Sequence, residues 1–125
     1  MNSITLKPEI NELYNLNEFI INKLGEENNQ VSLIVEEVFV NIVDYSKTEF
    51  ILVNVEFNKP TLTIEFIDNG IEFNPLLKEN PSLPDSIEEA HIGGLGIFLT
   101  KKIADKLDYN YNNGKNYLKI IKKVE

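Results

Sequence analysis

The chain has 125 residues, a formal net charge of −8 and no cysteine. This length suits a single domain with a core of its own, and without cysteine neither disulfides nor thiolate metal sites can form. All 12 basic residues are lysines, and most are scattered, so we expect neither nucleic acid nor a membrane surface as a partner.

The N-terminal segment is short and polar and lacks the apolar core of a signal peptide. No apolar run approaches the ~20 residues that are needed to span a bilayer. We therefore expect a complete, cytoplasmic chain. Because arginine is absent, any phosphate site has to use backbone amides, lysine or a metal ion.

The first half of the chain predicts one strand and two helices. Residues 2–7 alternate in polarity and predict a short edge strand, and residues 8–25 predict a helix that starts at Pro8 and ends at Gly25. Residues 30–45 predict a second helix, which should be buried because apolar side chains cover most of its circumference. The apolar stripe of the first helix comprises Ile10, Leu13, Leu16 or Asn17, Ile20 and Leu24.

The second half predicts strands, one further helix and a closing hairpin. The predicted segments are strands 50–57 and 61–67, an irregular proline-containing stretch 74–91, a helix 95–106, and strands 109–111 and 116–123 around Asn112-Asn113-Gly114. The order β-α-α-β-β-loop-α-β-β predicts an α+β two-layer sandwich. Three helices should cover one face of a mixed, mostly antiparallel sheet.

Glu37 and Asn41 are the first candidate functional residues. They lie four positions apart and share one face of the second helix, in a strongly apolar setting. Burying a carboxylate and an amide without partners costs several kcal/mol, so they either satisfy each other or face a wet, ligand-holding cavity. A glutamate with a raised pKa beside an asparagine oxygen would suit a general base next to a magnesium ligand. A solvated polar stripe that continues to Tyr45 is the alternative.

Two glycine-containing loops are the other candidates. Asp68-Asn69-Gly70 ends an apolar strand, where the carboxylate could accept a hydrogen bond from an exocyclic amine, although the tripeptide is also an ordinary turn. Three of the six glycines lie within residues 93–96, directly before an apolar helix. Backbone N–H groups at the start of a helix, next to glycine, favour the binding of a phosphate group. Close packing of this helix on the sheet is the alternative.

In this order, Glu-x-x-x-Asn, Asp-x-Gly and Gly-x-Gly resemble the N box and the two glycine boxes of the GHKL (Bergerat-fold) ATPases. The segments Asp-Asn-Gly-x-x-Phe-Asn-Pro and Gly-Gly-Leu-Gly-Ile-Phe-Leu are most similar to those of anti-sigma-factor serine/threonine kinases of bacterial partner-switching systems. The resemblance runs from Ile4 to the last strand.

This resemblance implies one ATP-binding domain over residues 1–125 that uses ATP and Mg²⁺. Asn41 would hold Mg²⁺ and Glu37 would be the catalytic base. Asp68 would bind the adenine amino group, and Gly70 would let the base lie against the backbone. The phosphates would be lined by the segment Gly93, Gly94, Leu95, Gly96 and Ile97, and residues 76–92 would form the ATP lid.

The resemblance also implies an anti-sigma-factor antagonist protein as the substrate, a sigma factor as a second partner, and a homodimer. Tyr45 stands where these kinases commonly have histidine, and lysines replace their arginines. A nucleotide-dependent binding module with little or no kinase activity is the alternative. A histidine-kinase catalytic domain cut from a larger protein is disfavoured, because no phosphoacceptor-helix sequence precedes Ile4.

Overall fold

The computed structural model describes residues 2–77 and 100–124, in which two helices pack on a five-stranded sheet. All four strand pairs of the described residues are antiparallel, in the order β1-β2-β3-β5-β4. The elements are β1 Ser3–Leu6, α1 Leu13–Leu24, α2 Asn29–Tyr45, β2 Ile51–Asn58, β3 Thr61–Asp68, β4 Lys106–Asn112 and β5 Lys115–Lys123, with short 3-10 helices at Ile10–Glu12 and Pro75–Leu77. The predicted two-layer α+β class is confirmed.

The start of α1 differs from the prediction. Glu9 is extended (φ −131°, ψ 137°) and a single 3-10 turn follows, so the α-helix begins at Leu13 rather than at Pro8. The carboxylate of Glu12 accepts the backbone N–H of Lys7 at 3.0 Å, which holds this turn against the preceding strand. The side chain of Ile10 is 50% exposed and therefore lies outside the predicted apolar stripe.

The predicted end of α1 is confirmed. Gly25 takes a left-handed conformation (φ 87°), and its N–H donates to the carbonyl of Ile21 at 2.8 Å. A residue with a side chain would be strained at this φ, whereas glycine is not. On the inward side of the helix Leu16 and Ile20 are buried, as the stripe predicts.

Helix α2 forms the centre of the core. It begins one residue before the predicted start, because the side-chain oxygen of Asn28 accepts the N–H of Val31 at 3.0 Å and caps the helix. The predicted burial is confirmed by six apolar side chains, Val31, Ile34, Val35, Val38, Phe39 and Ile42, which are at most 5% exposed. They pack against the alternate residues of β2, β3 and β5 that point towards the helices.

The sheet register brings distant polar residues together at one end of the central strands. Asp68 ends β3, and it is paired with Ile51 on one side and with Asn116 on the other. The hairpin that carries Asn116 turns at Asn113 and Gly114, which both have positive φ (53° and 75°), as a two-residue type I′ turn requires. The predicted hairpin is therefore confirmed, although β4 is longer than expected.

The end of the third predicted helix is wrong by about one turn. Residues 100–103 are helical, but Lys106 already belongs to β4 and pairs with Ile121. Residues 95–99 lie outside the described part of the chain. Neither α1 nor α2, the two α-helices given above for the described residues, is long and apolar enough to cross a membrane.

Candidate functional site

Asn41 lies one turn before the end of α2 and is 2% exposed, which makes it the only buried polar residue of that helix. Its side-chain nitrogen donates to the backbone carbonyl of Glu37 at 2.8 Å. The side-chain nitrogen of Asn41 is therefore held by the helix backbone. This bond fixes the orientation of the amide, and it turns the side-chain oxygen away from the Glu37 carbonyl.

Glu37 lies one turn before Asn41 on the same face of α2 and is half-buried. Burial raises the pKa of its carboxyl group, and the negative charge of the adjacent Glu36 raises it further. A carboxylate with a raised pKa binds protons more readily, which brings it closer to the range in which a general base works at neutral pH.

Asp68 is 2% exposed and is held by three donors that converge on one of its two oxygens. The hydroxyl of Ser46 donates to Oδ1 at 2.5 Å, and the N–H of Gly70 and the side-chain nitrogen of Asn116 donate to the same atom at 2.9 Å each. No described residue donates to Oδ2. The carboxylate is therefore fixed on one side and has a second oxygen available as an acceptor.

Asn116, like Ser46, is a site residue that the sequence did not predict. All its hydrogen-bonding capacity is used, since its nitrogen donates to Asp68 and to the carbonyl of Ile71 (2.8 Å), and its oxygen accepts the N–H of Phe73 (3.0 Å) and the hydroxyl of Tyr109. It is separated from Asp68 by 48 residues, and only the β3–β5 register joins them. The sequence carries no local signal for this contact.

Gly70 approaches the end of α2 too closely to carry a side chain. A Cβ atom there would lie 2.1 Å from the backbone oxygen of Ser46, and the N–H of Ile71 donates to that same oxygen at 2.8 Å. The glycine is thus required by the packing of the Asp68 loop on α2. Its predicted contact with a purine base stays a prediction.

A second hydrogen-bonded group joins the segment after α2 to the loop after β3. The hydroxyl of Thr48 donates to the side chain of Asn69 at 2.7 Å and accepts the backbone N–H of Asn69 at 3.0 Å. The ring centroids of Tyr45, at the end of α2, and Phe73, in the loop after β3, lie 5.6 Å apart. The loop that follows Asp68 is therefore anchored to the end of α2 by both polar and aromatic contacts.

These contacts place the predicted residues in order along α2. Ser46, which holds Asp68, follows directly after the helix, and Asn41 and Glu37 lie about 7 Å and about 13 Å further back along its axis. Glu37 and Asn41 thus share one face of the helix, and the Asp68 carboxylate is held at the C-terminal end of the helix through Ser46. This spacing along the helix axis suits an elongated ligand with a base at one end.

The predicted phosphate segment, from Gly93 to Ile97, lies outside the described residues, as do positions 78–92 of the predicted lid. Residues 76 and 77 of that lid belong to the second 3-10 helix. Among the described residues, no group of three or more histidine, cysteine, aspartate or glutamate side chains could hold a metal ion. A metal held here would depend on ligand oxygens and water in addition to Asn41.

The histidine kinase-like ATPase domain family matches residues 18–122, and the chain belongs to this family. This membership supports the predicted GHKL resemblance and marks the chain as a domain of the ATP-binding type. Comparison with curated proteins finds no significant match.

Solved structures with a similar fold include histidine kinases. The nucleotide-free catalytic domain of histidine kinase ThkA is 16% identical, with a TM-score of 0.56, and the match covers 98% of this chain and 96% of that one. The Acinetobacter baumannii histidine kinase AdeS is 9% identical, with a TM-score of 0.56, and the match covers 100% of this chain and 68% of that one. The histidine kinase domain of the Erythrobacter litoralis EL346 blue-light activated histidine kinase is 15% identical, with a TM-score of 0.48. That match covers 76% of this chain and 43% of the other, so the chain spans less than half of that protein. At these low sequence identities the similarity shows a shared fold and nothing more.

Proposed function

We propose that this domain binds Mg-ATP along α2 and transfers the γ-phosphoryl group to a serine or threonine of a partner protein. The observation that carries the proposal is the shared face of Glu37 and Asn41 on α2, with the Asp68 carboxylate held at the end of that helix. Each of the three groups suits one part of the nucleotide or of the reaction. Family membership supports ATP as the ligand. The anti-sigma-factor character rests on the motif resemblance described above.

Asp68 suits the base of the nucleotide, and Asn41 suits the metal ion that accompanies its phosphates. Asp68 offers its Oδ2 atom to the amine of adenine while its Oδ1 atom is held by the protein. Asn41 offers a side-chain oxygen, the kind of ligand that Mg²⁺ prefers, at a buried and fixed position. A magnesium ion bound there would neutralise part of the phosphate charge. This matters because phosphoryl transfer depends mainly on positioning and charge stabilisation.

Glu37 supplies the chemistry that distinguishes a kinase from a binding module. In the proposed reaction its carboxylate takes the proton of the acceptor hydroxyl, whose oxygen forms a bond to the γ-phosphorus. The bond between that phosphorus and the bridging oxygen breaks, and ADP leaves with the electron pair. Binding alone needs Asn41 and Asp68 but no base, so a glutamate at position 37, one turn before Asn41 on the same face of α2, favours the kinase.

The test uses calorimetry with Mg-ATP, followed by transfer of labelled γ-phosphate to a candidate antagonist protein. We expect Asn41→Ala to abolish Mg-ATP binding, and Glu37→Gln to leave binding within about twofold while transfer falls by roughly 100-fold or more, the usual contribution of a general base. Negligible heat with the unaltered protein would contradict the nucleotide site.

The matched control for the base is Glu36→Gln, which removes the same charge from the neighbouring exposed position. We expect this variant to transfer phosphate at the normal rate. Normal transfer by Glu37→Gln would show that Glu37 is not the base. Nucleotide binding without any transfer, in the presence of an antagonist protein, would favour the alternative of a nucleotide-dependent binding module.

The partners are part of the same proposal. The resemblance points to an anti-sigma-factor antagonist as the phosphoryl acceptor, to a sigma factor as a second partner, and to a cytoplasmic homodimer. Size-exclusion chromatography with light scattering tests the dimer. Co-purification with a tagged antagonist, with and without ATP, tests the partner.

A further inference from the structure

We infer that Asn113 is a site of spontaneous deamidation, and that its isoaspartate product loosens the hydrogen bonds that hold Asp68. The chain contains two Asn-Gly pairs, Asn69-Gly70 and Asn113-Gly114, and the fold places them in opposite environments. Deamidation modifies the chain itself and needs no nucleotide, so this site is additional to the proposed function.

An asparagine that precedes glycine is open to this reaction, because glycine has no side chain to shield its backbone nitrogen. That nitrogen gives up its proton to water and forms a bond to the side-chain carbonyl carbon of the asparagine. The amide nitrogen leaves as ammonia, with the electron pair of the broken bond and a proton from water. Water then opens the succinimide ring at either carbonyl, which gives aspartate or isoaspartate. In isoaspartate the main chain runs through the former side chain.

Asn113 lies where the reaction can proceed. Asn113 and Gly114 form the tip of the β4–β5 hairpin, between the paired residues Asn112 and Lys115, and both are exposed to water. No described atom lies within 4 Å of the Cβ position of Gly114, apart from its chain neighbours. No packed group of the described fold therefore stands between the side chain of Asn113 and the nitrogen of Gly114.

Asn69 has the same neighbour in sequence, but the fold holds it. Its side-chain oxygen accepts the N–H of Glu49 at 2.9 Å, and its side-chain nitrogen donates to the Glu49 carboxylate at 3.2 Å. The nitrogen that would attack belongs to Gly70, which is buried and donates to Asp68 at 2.9 Å. Ring closure at Asn69 has to break these three bonds, so the fold slows the reaction there.

Isoaspartate at position 113 disturbs the strand that carries Asn116. The turn needs positive φ at Asn113 and Gly114 (53° and 75°), and turn type and loop length set the register of a hairpin. Isoaspartate adds a methylene group to the backbone of this turn, which weakens the strand pairing beside it. Asn116 follows in β5, where it donates to Asp68 at 2.9 Å and accepts the N–H of Phe73 at 3.0 Å. Both bonds should therefore loosen.

The first experiment measures deamidation by peptide mapping and mass spectrometry after incubation at mildly alkaline pH, without nucleotide. In the folded protein we expect Asn113 to react at least about tenfold faster than Asn69, which has to break hydrogen bonds. In concentrated urea the two should react at similar rates, because both precede glycine. Asn112 is the internal control: it is exposed in the same hairpin but precedes asparagine, and it should react more slowly.

Equal rates at Asn69 and Asn113 in the folded protein would overturn the inference. Reaction of Asn113 in urea but not in the folded protein would overturn it as well, because the turn would then protect this residue. Neither result depends on whether the domain binds ATP, so a failure here and a failure of the proposed function are distinguishable.

The second experiment measures hydrogen exchange of the Phe73 backbone N–H, which donates to Asn116. It compares the purified isoaspartate form with Asn113→Asp, which has the same charge on a normal backbone, and with Asn113→Gly, which cannot deamidate and suits the turn. We expect exchange at least about tenfold faster in the isoaspartate form, as for the loss of one hydrogen bond, and little change in either variant.

The N–H of Val38, in the buried middle of α2, is the reference for stability of the whole domain. Its exchange should be the same in all forms, so that faster exchange at Phe73 reports a local effect. Unchanged exchange at Phe73 in the isoaspartate form, equally fast exchange in Asn113→Asp, or equal acceleration at Val38 would each overturn the link between Asn113 and Asp68.

Discussion

At the level of single residues, the site consists of polar groups that are buried and yet hydrogen-bonded. Asp68, Asn116 and Ser46 are at most 4% exposed, and no buried side-chain nitrogen or oxygen of the described residues lacks a partner. Because an unpaired buried polar group costs about 1–3 kcal/mol, such a network specifies one arrangement of the loops around it.

Glu37 should make the stability of the fold depend on pH. Burial raises its pKa in the folded state above the ordinary value of 4.5, so the folded protein binds this proton more tightly than the unfolded chain does. Its stabilising contribution is therefore present below about pH 4.5 and is lost as the pH rises through the raised pKa. We expect the free energy of unfolding of Glu37→Gln, relative to the unaltered protein, to increase with pH across this range.

Urea denaturation at a series of pH values measures this difference. Glu26→Gln is the control, because it removes the same charge from an exposed position outside α2. An equal pH dependence in the two variants would show that the effect comes from net charge and not from the burial of Glu37.

Gly70→Ala should destabilise the protein by about 3 kcal/mol, since the new Cβ would lie 2.1 Å from the backbone oxygen of Ser46 and backbone has to move. Gly114→Ala is the comparison: nothing lies within 4 Å of its Cβ position, and only its positive φ of 75° opposes a side chain. That strain costs about 1–2 kcal/mol. Chemical denaturation that ranks Gly114→Ala as the more damaging change would contradict this packing.

At the level of elements, α2 connects the core to the site. Its apolar faces pack between α1 and the sheet, while one line of positions carries Glu37, Asn41 and Tyr45. Its last turn is joined to the loop after β3 through Ser46. The position of every site residue on α2 therefore depends on where the helix begins and ends.

The N-terminal cap of α2 should contribute about 1 kcal/mol. Asn28→Ala removes the acceptor for the Val31 N–H and should lower the free energy of unfolding by that amount. Asn28→Ser keeps a capping oxygen and should lose only a few tenths of a kcal/mol. Asn29→Ala, at the exposed first position of the helix, is the control; a loss equal to that of Asn28→Ala would argue against the cap.

At the level of the whole molecule, a five-stranded sheet with helices on one face brings together segments from all parts of the chain. The end of β3 is the meeting point: α2 reaches it through Ser46, β5 through Asn116 and β4 through Tyr109. A ligand that contacts Asp68 is thus coupled to most elements of the fold. Binding should therefore stabilise the domain as a unit.

Mg-ATP at 100 times its dissociation constant should raise the free energy of unfolding by about 2.7 kcal/mol. For a domain of this size the midpoint of thermal unfolding should rise on the order of 10 °C. Differential scanning fluorimetry with and without Mg-ATP measures the shift, and Asn41→Ala should abolish it. A shift of the same size in Asn41→Ala would place the nucleotide elsewhere.

Most elements could be predicted from the sequence, and the errors occur at their ends. The period of the apolar residues and the glycine at position 25 define α1 and α2, but the start of α1 was wrong because Glu9 adopts an extended conformation after Pro8. The third helix was extended into β4, since no strong stop signal separates it from Lys106. Local propensity is weakest where a tertiary contact decides the boundary.

The sequence by itself determined the family, the fold class and the shared helix face of Glu37 and Asn41, because a spacing of four residues is local and follows the helix period. Only the tertiary structure decided that Asn116, 48 residues away, completes the hydrogen bonds of Asp68, and that Gly70 is required by Ser46. Strand pairing joins residues irrespective of their separation along the chain, and a sequence pattern carries no record of which side chains that register will bring into contact.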